Sequence, residues 1–154
     1  MSMTTEWEKE ARDYWQENPN NQHLFGLVQG GMYESCRTEH AQELSELNFP
    51  GYAIGGVSVG EPLEDMHRII AHTTPLLPEE KPRYLMGVGL PENLSYAIEQ
   101  GIDMFDCVVP TRSARHGQVF SSEGKFSIKN AHYKTDQTPP VSYTHLTLPT
   151  ILLV

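Results

Sequence analysis

Apolar residues gather in four short runs of strand type, Leu24 to Val28, Tyr52 to Val57, Tyr84 to Val88 and Met104 to Val109. Between the runs the spacing changes to one that suits helices. Tyr33, Cys36, Ala41, Leu44 and Leu47 fall on one helical face, then Leu63, Met66, Ile70 and Leu77, then Leu94, Ala97 and Ile98. Pro62 and Pro91 suit first-turn positions, and Gly51 and Gly101 stand where a left-handed stop is wanted. Ahead of the first run, Trp7, Ala11, Tyr14 and Trp15 mark a further amphipathic helix. Strands alternating with helices predict an α/β fold on a parallel sheet, either doubly wound or part of a (β/α)8 barrel. A barrel takes about 250 residues, so four units amount to roughly half of one.

The rhythm breaks at residues 118–128, QVFSSEGKFSI, which read as a β-hairpin turning near Glu123-Gly124. The last fourteen residues, 141–154 (VSYTHLTLPTILLV), carry no charge and continue neither period. Their first ten resemble the translation of a sequencing adapter, so residues 1–140 are expected to be native and 141–154 foreign. The alternative is a native apolar strand.

The chain has 154 residues, with 20 acidic and 11 basic side chains and a formal net charge of −9. That total argues against nucleic acid, whose binders must neutralise phosphates. The distribution changes the picture. Residues 1–106 hold 18 acidic and 6 basic side chains, whereas residues 107–134 hold one acidic residue, Glu123, and five basic ones, Arg112, Arg115, Lys125, Lys129 and Lys134. Such a segment is either a solvated loop and hairpin or a phosphate-binding patch. No run approaches the 18 or so apolar residues of a membrane span, and charges occupy the place of an apolar signal sequence. Two isolated cysteines, Cys36 and Cys107, form neither a disulfide framework nor a zinc ribbon, and a reducing cytoplasm is expected.

Three strand ends run into glycine-rich loops: Val28-Gln29-Gly30-Gly31, Ile54 to Glu61, and Met86-Gly87-Val88-Gly89. One such loop is an ordinary tight turn. Three at successive strand ends converge on one pocket, because the carboxyl ends of parallel strands face the same way. The fourth strand ends in Phe105-Asp106-Cys107, a carboxylate within an apolar run. Burying it costs several kcal/mol unless it is paired or used, which makes Asp106 the best candidate for a catalytic group. The alternative is a loop cap or a partner for Arg112 or Arg115. Asp103 reads as a surface or capping residue and Cys107 as a small buried thiol. The histidines show no metal-ligand spacing, and His40, His67 and His72 are expected at solvated or edge positions of helices.

Taken together, LFGLVQGG, GYAIGGVSVGEP, RYLMGVGLPENL and GIDMFDCVVPTRSARHG resemble the bacterial tRNA-guanine transglycosylase family, in order and with suitable gaps, from about Asn21 to Asp136. The resemblance implies the C-terminal part of a (β/α)8 barrel. It also implies a pentosyltransferase that exchanges guanine in GUN anticodons of tRNA for a 7-deazaguanine, usually 7-aminomethyl-7-deazaguanine, on the route to queuosine. Asp106 matches the nucleophile. Gln29 matches the residue that reads the purine edge, and the Gly56 N–H the donor to the purine carbonyl, with Gly55 permitting close approach. The Val57 carbonyl would face the aminomethyl group, with Glu61 orienting that peptide, and Met86 would pack on the purine face. Arg112 and Arg115 match residues that grip tRNA phosphates.

The same resemblance marks departures. The family's general base, an aspartate on an earlier strand, has no counterpart here, so the chain alone is expected to be inactive, and an open half-barrel with an unpaired strand edge and uncovered apolar surface is expected to be loosely packed or to aggregate. The family's structural zinc needs a CxCxxC cluster and a later histidine, whose place near Thr144 falls in the foreign-looking tail, so no zinc or other cofactor is expected. A homodimer is compatible with the resemblance. The rivals are a non-catalytic tRNA-binding or dimer-partner protein of the same family, and an unrelated glycosidase. The glycosidase would need a second carboxylate about 5 Å from Asp106, with Glu61 the obvious candidate.

Overall fold

The computed structural model describes residues 2–19, 21–121 and 124–135. The described residues up to Cys107 and those from Val108 onward form two compact units. The first unit is α/β, as the apolar rhythm predicts. Helix α1 (Ser2–Glu17) precedes strand β1 (Phe25–Val28), followed by α2 (Glu34–Glu46), β2 (Gly51–Ile54) and α3 (Leu63–Thr73) with a 3-10 turn at Thr74–Leu76. Then come β3 (Arg83–Leu85), α4 (Pro91–Glu99) and β4 (Met104–Phe105). The four strands pair in parallel in the order β1-β2-β3-β4, with Val28 opposite Ile54, Ile54 opposite Leu85, and Leu85 opposite Phe105.

Val28, Tyr52, Ile54 and Leu85 from the strands are fully buried together with Ala41 and Leu44 of α2 and Ile69 and Ile70 of α3. β2 is buried at every position, as a central parallel strand should be.

Helix faces follow the periodicity only in part. On α2 the buried stripe is Arg37, His40, Ala41 and Leu44, while Tyr33 is its exposed N-cap. The expectation of a solvated His40 is therefore wrong. The residue has no exposure, because the helix turns it beneath the β1 loop, where its Nδ1 accepts the Gln29 N–H. His67 stacks on Tyr96 and His72 bonds Thr38, both half-buried. Ile98 of α4 is exposed, and Leu77 lies beyond the end of α3. On α1 the apolar side is turned outward, with Trp7 63% exposed, while Thr5 is buried and Glu8 receives the Leu27 N–H. α2 is stopped by Asn48, in the left-handed region at φ 53°, and Gly51 instead opens β2. Pro62 is the N-cap of α3, one position before the first turn, whereas Pro91 and Gly101 play their expected parts.

The fourth apolar run is a strand for two residues only. Val109 and Pro110 begin helix α5 (Val109–Arg115), the first element of the second unit. Proline at the second helical position lacks only an N–H that the first turn could not use. After α5 the predicted hairpin is present as β5 (Gln118–Ser121) antiparallel to β6 (Gly124–Ser127), with a 3-10 turn at Ala131–Thr135. Glu123 and residues 141–154, for which a turn and a foreign tail are expected, lie outside the described residues.

Candidate active site

The site is built where the four parallel strands end. At the end of β1, the Gln29 N–H donates to His40 Nδ1 at 3.0 Å, which fixes the proton of a neutral ring on Nε2. Burial pushes the His40 pKa below its ordinary range, against the opposing pull of Glu43. The Gln29 side-chain amide lies over the next loop. A Cβ on Gly55 would come within 3.0 Å of Gln29 Nε2, and one on Gly56 within 3.1 Å of Gln29 Oε1. Gly56 also has φ +66°, which side chains rarely adopt. Only glycine lets this backbone run so close beneath the amide.

At the end of β2, Val57 is buried and Glu61 folds back on its own loop. Its Oε1 accepts the Ser58 N–H and its Oε2 the Val59 N–H at 2.9 Å. Burial raises the pKa of this carboxyl, but the loop N–H groups outweigh burial and hold it below the usual carboxylate range. Glu61 therefore grips the Val57-Ser58 peptide by its N–H. The β2 loop is tied to the next by Ser58 Oγ, which donates to the Gly87 carbonyl at 3.0 Å.

Asp106 stands at the end of β4. Its Oδ1 accepts two hydrogen bonds, from the Tyr84 hydroxyl at 2.7 Å and from the Gly87 N–H at 2.9 Å. The Tyr84 bond, then the Gly87 bond, lowers the Asp106 pKa, while the phenol of Tyr84 is raised in return. The burial expected from the surrounding apolar run is not found, since Asp106 is exposed. β4 ends one residue earlier, so the carboxylate emerges at the strand's mouth, where the two hydrogen bonds outweigh what little burial remains. Asp103, read as a surface or capping residue, is exposed and accepts the Arg83 N–H at 2.8 Å. Cys107 is a half-buried thiol packed on Gly89, where a Cβ would come within 2.3 Å of its own.

The structure thus brings Gln29, Gly55, Gly56, Val57, Glu61, Met86 and Asp106 onto the loops at one end of one sheet. Met86 is partly exposed beside Gly87. Arg112 and Arg115 lie on α5 in the second unit, both exposed. Sequence reasoning passed over Tyr84, Arg37 and His40. Tyr84 shares its strand face with Met86 by the two-residue period. Arg37 and His40 are polar residues set into the apolar stripe of α2, and that placement was the available signal.

These loops carry the strings that resemble one family, and comparison with known proteins bears directly on it. The profile of the Queuine tRNA-ribosyltransferase family matches residues 1–144. The chain belongs to the queuine tRNA-ribosyltransferase family. It is 57% identical over 141 residues to the Queuine tRNA-ribosyltransferases of Vibrio atlanticus and Vibrio cholerae, and 56% identical to that of Vibrio vulnificus. In each case the match covers 90% of this chain and 37% of the relative. The chain therefore spans little more than a third of the length of these curated relatives. Its four parallel strands are part of the family's barrel, and the match takes in helix α1, ahead of the strings that carry the resemblance. The structural zinc implied for the family does not fit the residues present. Cys36 and Cys107 are the chain's two cysteines and cannot form CxCxxC, and no His, Cys, Asp or Glu cluster suited to a metal occurs among the described residues. No helix among the described residues is long and apolar enough to cross a membrane.

Proposed function

We propose that this segment supplies the nucleophile and much of the base-recognition surface of a tRNA-guanine transglycosylase. The observation that carries the reading is the state of Asp106, an exposed carboxylate held ionised by Tyr84 and Gly87 at the mouth of a strand whose neighbours present Gln29 and Gly56. A carboxylate oxygen attacks C1′ of the ribose as the bond from C1′ to the purine nitrogen breaks, and the purine leaves with the electron pair and takes up a proton. The result is a covalent glycosyl-enzyme. An incoming 7-deazaguanine then loses its ring N–H proton, attacks C1′ and frees the carboxylate, so two inversions retain the anomeric configuration.

The target base must leave its stack to reach such a pocket. Gln29 offers amide donors and an acceptor to its edge, and the Gly56 N–H a donor to its carbonyl. Because Glu61 holds the Val57-Ser58 peptide by its N–H, the Val57 carbonyl turns the opposite way, where it suits an ammonium such as the aminomethyl group. Met86 packs on the purine face, and Arg112 and Arg115 bind tRNA phosphates. The substrates are tRNA, guanine and 7-aminomethyl-7-deazaguanine, and the setting is cytoplasmic. No residue here supplies the family's second aspartate, so the isolated chain is expected to be inactive.

The test uses the full-length protein that carries this segment. Mixing it with tRNA and trapping by denaturation should give a covalent RNA adduct that is lost in Asp106→Asn. Binding of tRNA without any adduct favours the non-catalytic partner protein instead.

A further inference from the structure

The largest fully buried side chain among the described residues is Arg37. It has no exposure, and burial drags its guanidinium pKa down to about 10, with Glu61 pulling the other way. Nη1 finds no partner among the described residues. A buried guanidinium with an unmet donor is a poor device for stability, and an apolar side chain of similar volume commonly serves a core at least as well. What Arg37 does achieve is geometric. Its Nε donates to the Gly31 carbonyl at 2.8 Å and its Nη2 to the Gly55 carbonyl at 2.8 Å, so one rigid planar group spans the loops after β1 and β2. Gly30 makes room for it, since a Cβ there would come within 2.7 Å of Arg37 Cγ.

The Gly55 carbonyl and the Gly56 N–H are two ends of one peptide. No cis peptide occurs among the described residues, and in a trans peptide these two groups point in opposite directions. A donor that takes the carbonyl from the α2 side therefore turns the N–H away from α2, and that N–H has no hydrogen-bond partner among the described residues. We propose that Arg37 is a positioning residue for base recognition: by holding the Gly55 carbonyl from behind, it aims the Gly56 N–H at the carbonyl oxygen of the bound purine. The same guanidinium, through Gly31, fixes the distance between that donor and the loop that carries Gln29. The proposal rests on the base-exchange reading above and adds to it the origin of selectivity for a 6-oxopurine.

The test compares guanine with 2-aminopurine, which lacks guanine's carbonyl oxygen and the N1 proton that accompanies it, as competing bases in the full-length protein carrying this segment. The unmutated protein should prefer guanine. Arg37→Lys keeps the charge but cannot bond both carbonyls, and should lower that preference about five- to tenfold, the loss falling on KM for guanine rather than on kcat. Equal weakening toward both bases would mean a merely structural role and would overturn the proposal.

Because losing a buried guanidinium can itself prevent folding, the unmutated protein supplies a second reading by nuclear magnetic resonance. The Gly56 amide proton should shift on adding guanine and not 2-aminopurine, and a through-bond coupling should link Arg37 Nη2 to the Gly55 carbonyl carbon. A Gly56 shift without that coupling would remove Arg37 and leave the transferase reading standing. Absence of any base exchange in the unmutated protein would sink both.

Discussion

The two units of this chain are built on opposite plans. Residues 1–107 are strongly acidic, bury a core of strand and helix residues, and bury Arg37, His40, Thr73 and Thr74 with it. From residue 108 on, the described residues carry five basic side chains, and only Ser113 and Gly117 are buried. This second unit is held by local means: the β5-β6 ladder, the Ile128 N–H on the Gly117 carbonyl at 2.9 Å, Lys125 above the Phe120 ring, and Phe126 against Tyr133. One unit has positions that must be exact to a few tenths of an ångström. The other presents charge, which tolerates displacement because its attraction falls off gradually with distance. The proposed function puts chemistry on the first plan and phosphate binding on the second.

That contrast breaks first at Asp106. Asp106→Asn in the full-length protein should lower base exchange on the order of 10^4-fold or more and abolish the covalent adduct, while tRNA affinity is kept. Substantial residual exchange would move the chemistry elsewhere. Stability should divide along the same line. Ile69→Ala removes a side chain with no exposure and should cost about 3 kcal/mol by urea unfolding. Val119→Ala, half-buried in the hairpin, should cost under about 1 kcal/mol, and equal costs would erase the distinction.

A finer probe is the Tyr84 hydroxyl. It lowers the Asp106 pKa, so Tyr84→Phe should move the acid limb of the kcat/KM profile to higher pH, because the proposed nucleophile then takes up its proton earlier as pH falls. A limb that stays in place would show that Tyr84 does not tune the nucleophile. Smallest are the effects in the basic unit. Arg112→Ala and Arg115→Ala should each weaken tRNA binding evenly across substrates and reduce the log–log salt slope by about 1, with kcat at saturating tRNA little changed. A specific loss of kcat would place these arginines in the chemistry rather than on phosphate.

How much could be read beforehand depended on distance along the chain. The glycine loops and Asp106 were legible because each lies directly after an apolar run, and parallel strands bring such ends together whatever packs behind them. Tyr84 escaped notice because its partner, Asp106, is 22 residues away and is brought within reach only by the β3-β4 pairing. Arg37 was hidden by its charge, since a basic residue in a helix is expected in water until two carbonyls from other loops are found to receive it.

The alternation of strand and helix, the family and the acidic-to-basic change were all determined by the sequence itself, because each is carried by local spacing or by a contiguous string. Tertiary structure alone decided that Asp106 is exposed and held by hydrogen bonds, that the apolar side of α1 faces outward, that the fourth run becomes a helix at Val109, and that Arg37 and His40 lie inside. The reason is physical. Burial and hydrogen-bond partners are relations between segments far apart in the chain, and periodicity within one segment says nothing of what will be packed against it.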